Sequence, residues 1–263
     1  MTLRPARRAP PARERDTLRV ATYNIHKGFS SFNRRMVIHE LRDHLRTLGA
    51  DVVFLQEVLG SHERHAVRYH DWPERPQHEF LADSVWTDFA YGKNAVYDGG
   101  HHGNAVLSSF PIVRWDNEDI SMHRFENRGL LHCELDVPGW RERLHCVCVH
   151  LGLFARTRTR QLHALRSRIE RLVPTGAPLI VAGDFNDWRL RAGREFAQPL
   201  RLREAFELAR GAPARSFPAA LPLFQLDRIY TRGFHVRSAH AHHGHVWSKI
   251  SDHAALSCTL VRS

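Results

Sequence analysis

Lysine is almost missing from this chain: of 38 basic residues only Lys27, Lys93 and Lys249 are not arginine. Cysteine is nearly as scarce. Cys133, Cys146, Cys148 and Cys258 all lie in apolar, strand-like runs and lack the spacing of a disulfide framework or a zinc knuckle, so both are excluded. The plain reading is four small buried hydrophobes in a reduced compartment. No run approaches the roughly 18 consecutive apolar residues that a membrane-spanning helix requires. The basic, proline-rich start, MTLRPARRAPPARERD, has no apolar core of the kind a secretory signal carries. A cytoplasmic monomer is expected. There is no repeat of fixed period, and no Pro/Gly/Ser linker after Leu18, so one domain is expected over residues 17–263, behind a basic Arg/Pro-rich tail at residues 1–16 that has little to bury.

What the chain does have is an ordinary globular composition, with 263 residues, 43% apolar and 25% charged. That is enough to bury a substantial core. The formal charge of +10 admits polyanionic partners: nucleic acid, anionic lipid headgroups or phosphorylated small molecules. The near-absence of lysine gives that charge a second source, genome-wide codon preference. The tail arginines would add attraction to an anionic membrane in peripheral contact.

Hydropathy patterning predicts a first strand over Leu18–Ile25 and a helix over about Arg34–Leu48, with Asn33 as its cap and Gly49 past its end. Further strands are expected at Val52–Glu57, Ala105–Ser108, Leu130–Val137, Leu144–His150, Leu179–Asp184, Leu226–Tyr230 and Ala254–Val261. A second helix spans about Thr157–Val173, its arginines mostly a solvated face. Between Trp188 and Phe224 the chain reads as irregular apart from a helical piece near Leu202–Ala209. Strands interleaved with helices, several of them apolar on both faces, argue for a layered α/β sandwich.

The strands share an ending. Apolar runs terminate in Asn24, in Glu57, in His150, and in Asp184 with Asn186 two residues on; Phe224-Gln225-Leu226 precede Asp227, and Asp252-His253 precede the last strand. Neighbouring strands would gather these side chains at one rim, placing four carboxylates, two amides and two imidazoles together. So many like charges call for a cation, and hard oxygen donors with few thiols suit Mg²⁺ or Mn²⁺. Carboxylates not used as ligands are free to activate water or orient an imidazole.

The strings ATYNIHKG, DVVFLQEV, GNAVLSSFPI, CVHLGL, LIVAGDFNDW, LDRIY and SDHAAL resemble, in this order, the successive motifs of the endonuclease/exonuclease/phosphatase superfamily over about residues 18–260. Within it NIHKGF, FNRRMVIHELRD, HHGNAVLS, VAGDFNDW and LDRIY are similar to the bacterial YbhP-type group. The resemblance implies a DNase I-like, four-layered α/β sandwich: two packed mixed β-sheets flanked by helices. It implies a Mg²⁺- or Mn²⁺-dependent phosphoric ester hydrolase, foremost a phosphodiesterase that cleaves a nucleic-acid or similar phosphodiester by metal-assisted water attack. The alternative substrate is a phospholipid headgroup, cleaved in the manner of a sphingomyelinase at a membrane surface; an inactive phosphate-binding module is the remaining one.

By the same resemblance Glu57 is the metal-binding glutamate, with Asn24 and Asp252 on the metal side. Asp184 orients or deprotonates the attacking water, and Asn186 is its partner on the phosphate. His253 contacts the scissile phosphate, Asp227 holds a catalytic histidine, and His150 matches the histidine of the DNase I and sphingomyelinase branches. The chain departs from the superfamily in three places. The abasic-site endonuclease branch has a different string where His150-Leu151 stand, the inositol 5-phosphatase signature is absent around Asp227, and the secreted DNase I disulfides are missing. Other positions keep two readings. His102 and Asn104 line the phosphate site, or Gly103 between them permits a tight turn. Arg128 and the Arg158/Gln161 pair contact phosphate or form a structural ion pair. His240, His242, His243 and His245 are a metal tract or a solvated loop.

Overall fold

The computed structural model describes residues 16–122 and 126–263; all of the predicted basic tail except Asp16 lies outside them. Two six-stranded sheets pack face to face. The first has the order β11-β12-β1-β2-β4-β3, built from Phe234–His242, Ala255–Arg262, Thr17–Asn24, Val52–His62, Gly100–Ser108 and Asp88–Tyr97. The second has the order β5-β6-β7-β8-β10-β9, built from Ile112–Asp119, Gly129–Leu135, Leu144–His150, Leu179–Asp184, Asp227–Arg232 and Arg203–Glu204. β1 runs parallel to β2 and β7 parallel to β8, and the other pairings are antiparallel, so both sheets are mixed.

The central strands are apolar on both faces because both faces are covered. Val20, Phe54 and Val106 of the first sheet meet Leu131, Cys146, Cys148 and Ile180 of the second in the inter-sheet core. All four cysteines are buried free thiols. On the outer face of the first sheet, α1 (Ile38–Thr47) buries Ile38, Leu41 and Leu45, and α3 (Gln77–Ala82) buries Leu81. On the outer face of the second sheet, α4 (Ala155–Leu172) buries Leu162, Leu165 and Ile169. Helix, sheet, sheet, helix make up the four layers. Two short helices, α2 (Glu63–Arg68) and α5 (Ala205–Arg210), complete the set.

Several expectations need correction. The first helix begins at Ile38, four residues late, and the residue before it, Val37, makes no side-chain cap. Met36, inside the predicted helix, instead pairs antiparallel with Phe29, and Val37 is non-helical (φ −133°), so the chain doubles back before the helix can start. β2 continues to His62 past the expected end at Glu57. Gly103 makes no turn: it lies inside β4, where a Cβ would meet the Gly92 carbonyl oxygen at 1.8 Å. On α4, Arg158 and Arg168 are buried, and Arg168 pairs with Asp116 at 2.5 Å and with Glu118. His240 and His242 belong to β11, where His242 Nε2 meets Ser257 Oγ at 2.7 Å, so they form no free loop.

Buried imidazoles make the fold sensitive to acid. His78, stacked on Tyr91, and His132, bonded to His145 at 3.0 Å, are pushed down to about 4 by burial. Burial does the same to His65 and His102. The unfolded chain takes up these protons near pH 6.5 and the folded one only near 4, so their stabilisation is complete above the first value and lost as pH falls through that window. Asp184 and Glu204, pushed up to about 7 by burial, act in the opposite sense but are outnumbered. Tm should therefore fall by several degrees between pH 7 and 4.5, and His78→Phe should flatten the profile. A Tm independent of pH would mean that these rings are hydrated in the folded state.

Candidate active site

The pairing of the central strands brings the polar strand ends together. In the second sheet His150 at the end of β7 lies beside Asp184 at the end of β8, and Asp184 in turn faces Asp227 at the start of β10. In the first sheet Asn24 at the end of β1 lies beside Gln56 of β2. A hydrogen bond from Asn24 Nδ2 to Asp184 Oδ2 (3.2 Å) joins the two sheets at this rim.

Asp184 is the hub. Its Oδ1 accepts the Asn186 backbone N–H at 2.9 Å, and its Oδ2 faces His150 Nε2 at 3.5 Å and His253 Nε2 at 3.8 Å. Asn186, in a left-handed conformation (φ 47°), turns its own side chain onto the Leu151 carbonyl at 2.9 Å. His253 Nδ1 bonds Asp227 Oδ2 at 2.8 Å, which leaves Nε2 pointed at Asp184. The ring is further held by Phe217, whose centroid is 5.0 Å away. The Asp252 carboxylate is half-buried beside the Ser251 hydroxyl, which donates to the Asn24 carbonyl at 2.7 Å.

Electrostatics divide the three titrating groups. Burial drives the Asp184 carboxyl up to about 7, although His253 pulls the other way. Burial alone would lower His253, but Asp227 and Asp184 outweigh it and raise the imidazole to about 10, so this ring is charged at neutral pH. His150 is held well below its ordinary value by burial and by the charges of Arg128 and His253, so it is neutral.

Glu57 sits where β2 loses register with β4, between Leu55 and Val58, and it too has a left-handed backbone (φ 57°). Burial would raise its carboxyl, but Lys27, His26, His102 and His253 together draw it below the usual range. Its Oε2 is buried without a hydrogen-bond donor, 3.7 Å from Lys27 Nζ. A buried, ionised carboxylate oxygen with no donor fits a hard cation. A second cluster fits by proximity, since one ligand atom each of Asp184, Asp227 and His253 lies within 4.8 Å of the others. In that group, however, the His253–Asp227 hydrogen bond already occupies one ring nitrogen.

The weaker positions separate. His102 faces Glu57 and lines an open cavity of about 460 Å³ with Lys27, His62, His65, Arg68 and Tyr97. Asn104 is fully buried, and its Nδ2 ties β4 to the Gly129 carbonyl at 2.9 Å across the sandwich. Arg128 is close enough to His102 and His150 for its charge to depress both, while its Nε donates to the Leu151 carbonyl at 3.1 Å. Arg158 makes no ion pair among the described residues. Its Nη1 donates to the carbonyls of Gly152 (3.1 Å) and Leu153 (2.9 Å), and Gln161 accepts the Gly152 N–H at 2.7 Å, so this pair clamps the loop that follows His150. Lys27, which pairs with Glu57, was not among the residues predicted from sequence.

Residues 21–253 match the profile of the Endonuclease/Exonuclease/phosphatase family. The uncharacterized protein YbhP of Escherichia coli (strain K12) is 47% identical over 251 residues, covering 95% of this chain and 99% of that one. Among solved structures, an endonuclease/exonuclease/phosphatase from Beutenbergia cavernae superposes with a TM-score of 0.73 at 20% identity, over 95% of this chain and 72% of that chain. A mannosyl-6-phosphatase from Bacteroides thetaiotaomicron superposes with a TM-score of 0.69 at 17% identity, over 93% of this chain and 99% of that chain. At these identities the two structures establish a shared fold.

Proposed function

The chain belongs to the endonuclease/exonuclease/phosphatase family, whose members hydrolyse phosphoesters, and on that premise we propose that it is a divalent-metal-dependent phosphodiesterase of the cytoplasm. The observation that carries this reading is the buried Asp184 carboxylate set between a neutral His150 and a charged His253 that Asp227 holds in place. A divalent cation bound by Glu57 with Asn24 and Asp252 would supply Lewis-acid polarisation of a phosphoryl oxygen.

The chain's own groups do the rest. Asp184, fixed by Asn186 and Asn24, is the acceptor for the proton of an attacking water. His253 carries a proton on Nε2, stabilised by Asp227 behind it, and can deliver that proton toward a leaving alkoxide. His150, neutral and with its Nε2 3.5 Å from Asp184 Oδ2, offers its one N–H to a non-bridging oxygen. Four carboxylates at this rim tolerate the single charge of a diester better than the double charge of a monoester.

Hydrolysis of bis-p-nitrophenyl phosphate should vanish in EDTA and return with Mg²⁺ or Mn²⁺. Glu57→Gln keeps the side chain's shape and removes the ligand charge, so it should raise the metal concentration needed for half-maximal rate. Full activity in chelator would overturn the reading.

A further inference from the structure

The three residues after His150 leave no backbone polar group free. The Leu151 N–H donates to the Asp184 carbonyl at 2.8 Å, and the Leu151 carbonyl accepts Asn186 Nδ2 (2.9 Å) and Arg128 Nε (3.1 Å). The Gly152 N–H donates to Gln161 Oε1 and the Leu153 N–H to Glu126 Oε1, both at 2.7 Å. The carbonyls of Gly152 and Leu153 both accept from one atom, Arg158 Nη1, at 3.1 and 2.9 Å. Gln161 Nε2 in turn donates to the Ile120 carbonyl at 3.3 Å. The Glu126 carboxylate lies so close over Gly152 that a Cβ there would strike it. Loops ordinarily give such groups to water and keep their mobility. This one is bound throughout, largely by side chains of α4 and of residues 126–128.

Glu126, Arg158 and Gln161 are buried, and their hydrogen bonds go to backbone rather than to Asp184, His150 or His253. Burying a guanidinium and a carboxylate is costly, so what this loop holds in place matters. The two catalytic imidazoles differ in how they are held. His253 is oriented through its own ring, by Asp227 on Nδ1. His150 has no hydrogen bond to its ring among the described residues, and Asp184 Oδ2 stands 3.5 Å from its Nε2. Its position is therefore set by its backbone, with β7 on one side and the bound loop on the other. A misplacement of about 1 Å at such a group can cost on the order of 10²-fold in rate.

We propose that Glu126, Arg158 and Gln161 are positioning residues for His150, acting through the backbone of residues 151–153. The effect on rate rests on the phosphodiesterase reading; the effect on geometry does not. Arg158→Met and Glu126→Leu should each lower kcat on bis-p-nitrophenyl phosphate about tenfold or more, with KM changed by less than about twofold. Glu126→Gln keeps an oxygen to accept the Leu153 N–H, so it should retain near-normal turnover. In a His150→Ala background, Arg158→Met and Glu126→Leu should cost less than about twofold further, because the ring they position is gone. Equal losses with and without His150, or a lower Tm with kcat unchanged, overturn the proposal. Gly152→Ala, which forces the Glu126 carboxylate off the loop, runs the same cycle should Arg158→Met fail to fold. NMR signals of the His150 ring report its placement without turnover. They should shift and broaden in Glu126→Leu and return in Glu126→Gln; signals unchanged in both overturn the positioning. A wild-type protein that cleaves no diester sinks the phosphodiesterase reading alone, and the ring signals then decide the positioning.

Discussion

Asp184→Asn should lower kcat on a soluble diester by about 10²–10⁴-fold, the range that a positioned proton acceptor typically contributes. The substitution is nearly isosteric, so the shape of the site survives. What changes is chemistry: an amide cannot accept the proton of water. Placed with its oxygen toward the Asn186 N–H, it would also direct its own N–H groups at Asn24 Nδ2, His150 and His253, where a carboxylate oxygen now sits. The fold should not suffer, because burial already drives this carboxyl up to about 7 and a neutral side chain relieves that penalty. Rate and melting temperature measured on one preparation separate the two effects. Near-normal turnover with an unchanged Tm would remove Asp184 from the reaction.

His253→Ala should cost a similar factor, about 10²–10⁴, and Asp227→Ala a large part of it. Asp227 acts through His253: its Oδ2 fixes Nδ1 at 2.8 Å, and its charge is the main influence that raises the imidazole to about 10. Groups that work as a unit are not additive, so the double variant should be no slower than His253→Ala alone. Asp227→Ala should also move the alkaline limb of the pH–rate profile to lower pH, because an imidazolium without its carboxylate gives up its proton sooner. A limb that stays in place, or a double variant slower by the product of the two single losses, would mean that the two residues act independently. Between them these substitutions separate the acceptor side of the reaction from the donor side.

The central strands were legible because their apolar runs are covered on both faces and stop abruptly at a polar residue; Leu144–His150 and Leu179–Asp184 match to the residue. The edge strands were not. Ile112–Asp119, Asp88–Tyr97 and Phe234–His242 carry polar residues on their solvated faces, and Arg203–Glu204 is only two residues long, so hydropathy gives little sign of them. Each exists because a neighbour offers a ladder of N–H and C=O groups. Lys27 was missed because it lies in an irregular turn rather than at a strand end. One signal was available, since it is one of three lysines in a chain that otherwise uses arginine. Arg158 kept two readings, a phosphate contact or a structural ion pair, because an arginine in sequence offers both. Its burial and the three-dimensional course of the loop after His150, which turn it onto backbone carbonyls, have no one-dimensional signature.

His26, Lys27, Glu57 and Asn186 all hold left-handed backbones that side-chain-bearing residues avoid, and Phe32 and Leu190 on the surrounding loops do the same. A non-glycine residue held this way costs on the order of 1 kcal/mol or more, which the well-packed sheets beneath must offset. Robustness and chemistry are thus drawn from a common reserve in this molecule. Engineering guided only by thermal tolerance would favour glycine at positions 27, 57 and 186, yielding a hardier scaffold that had shed its cation and carboxylate. Conversely, variants that tighten the inter-sheet core far from the rim should widen the range of substitutions the rim can accept, which makes that core the sensible starting point for any attempt to redirect this chain toward a new ester.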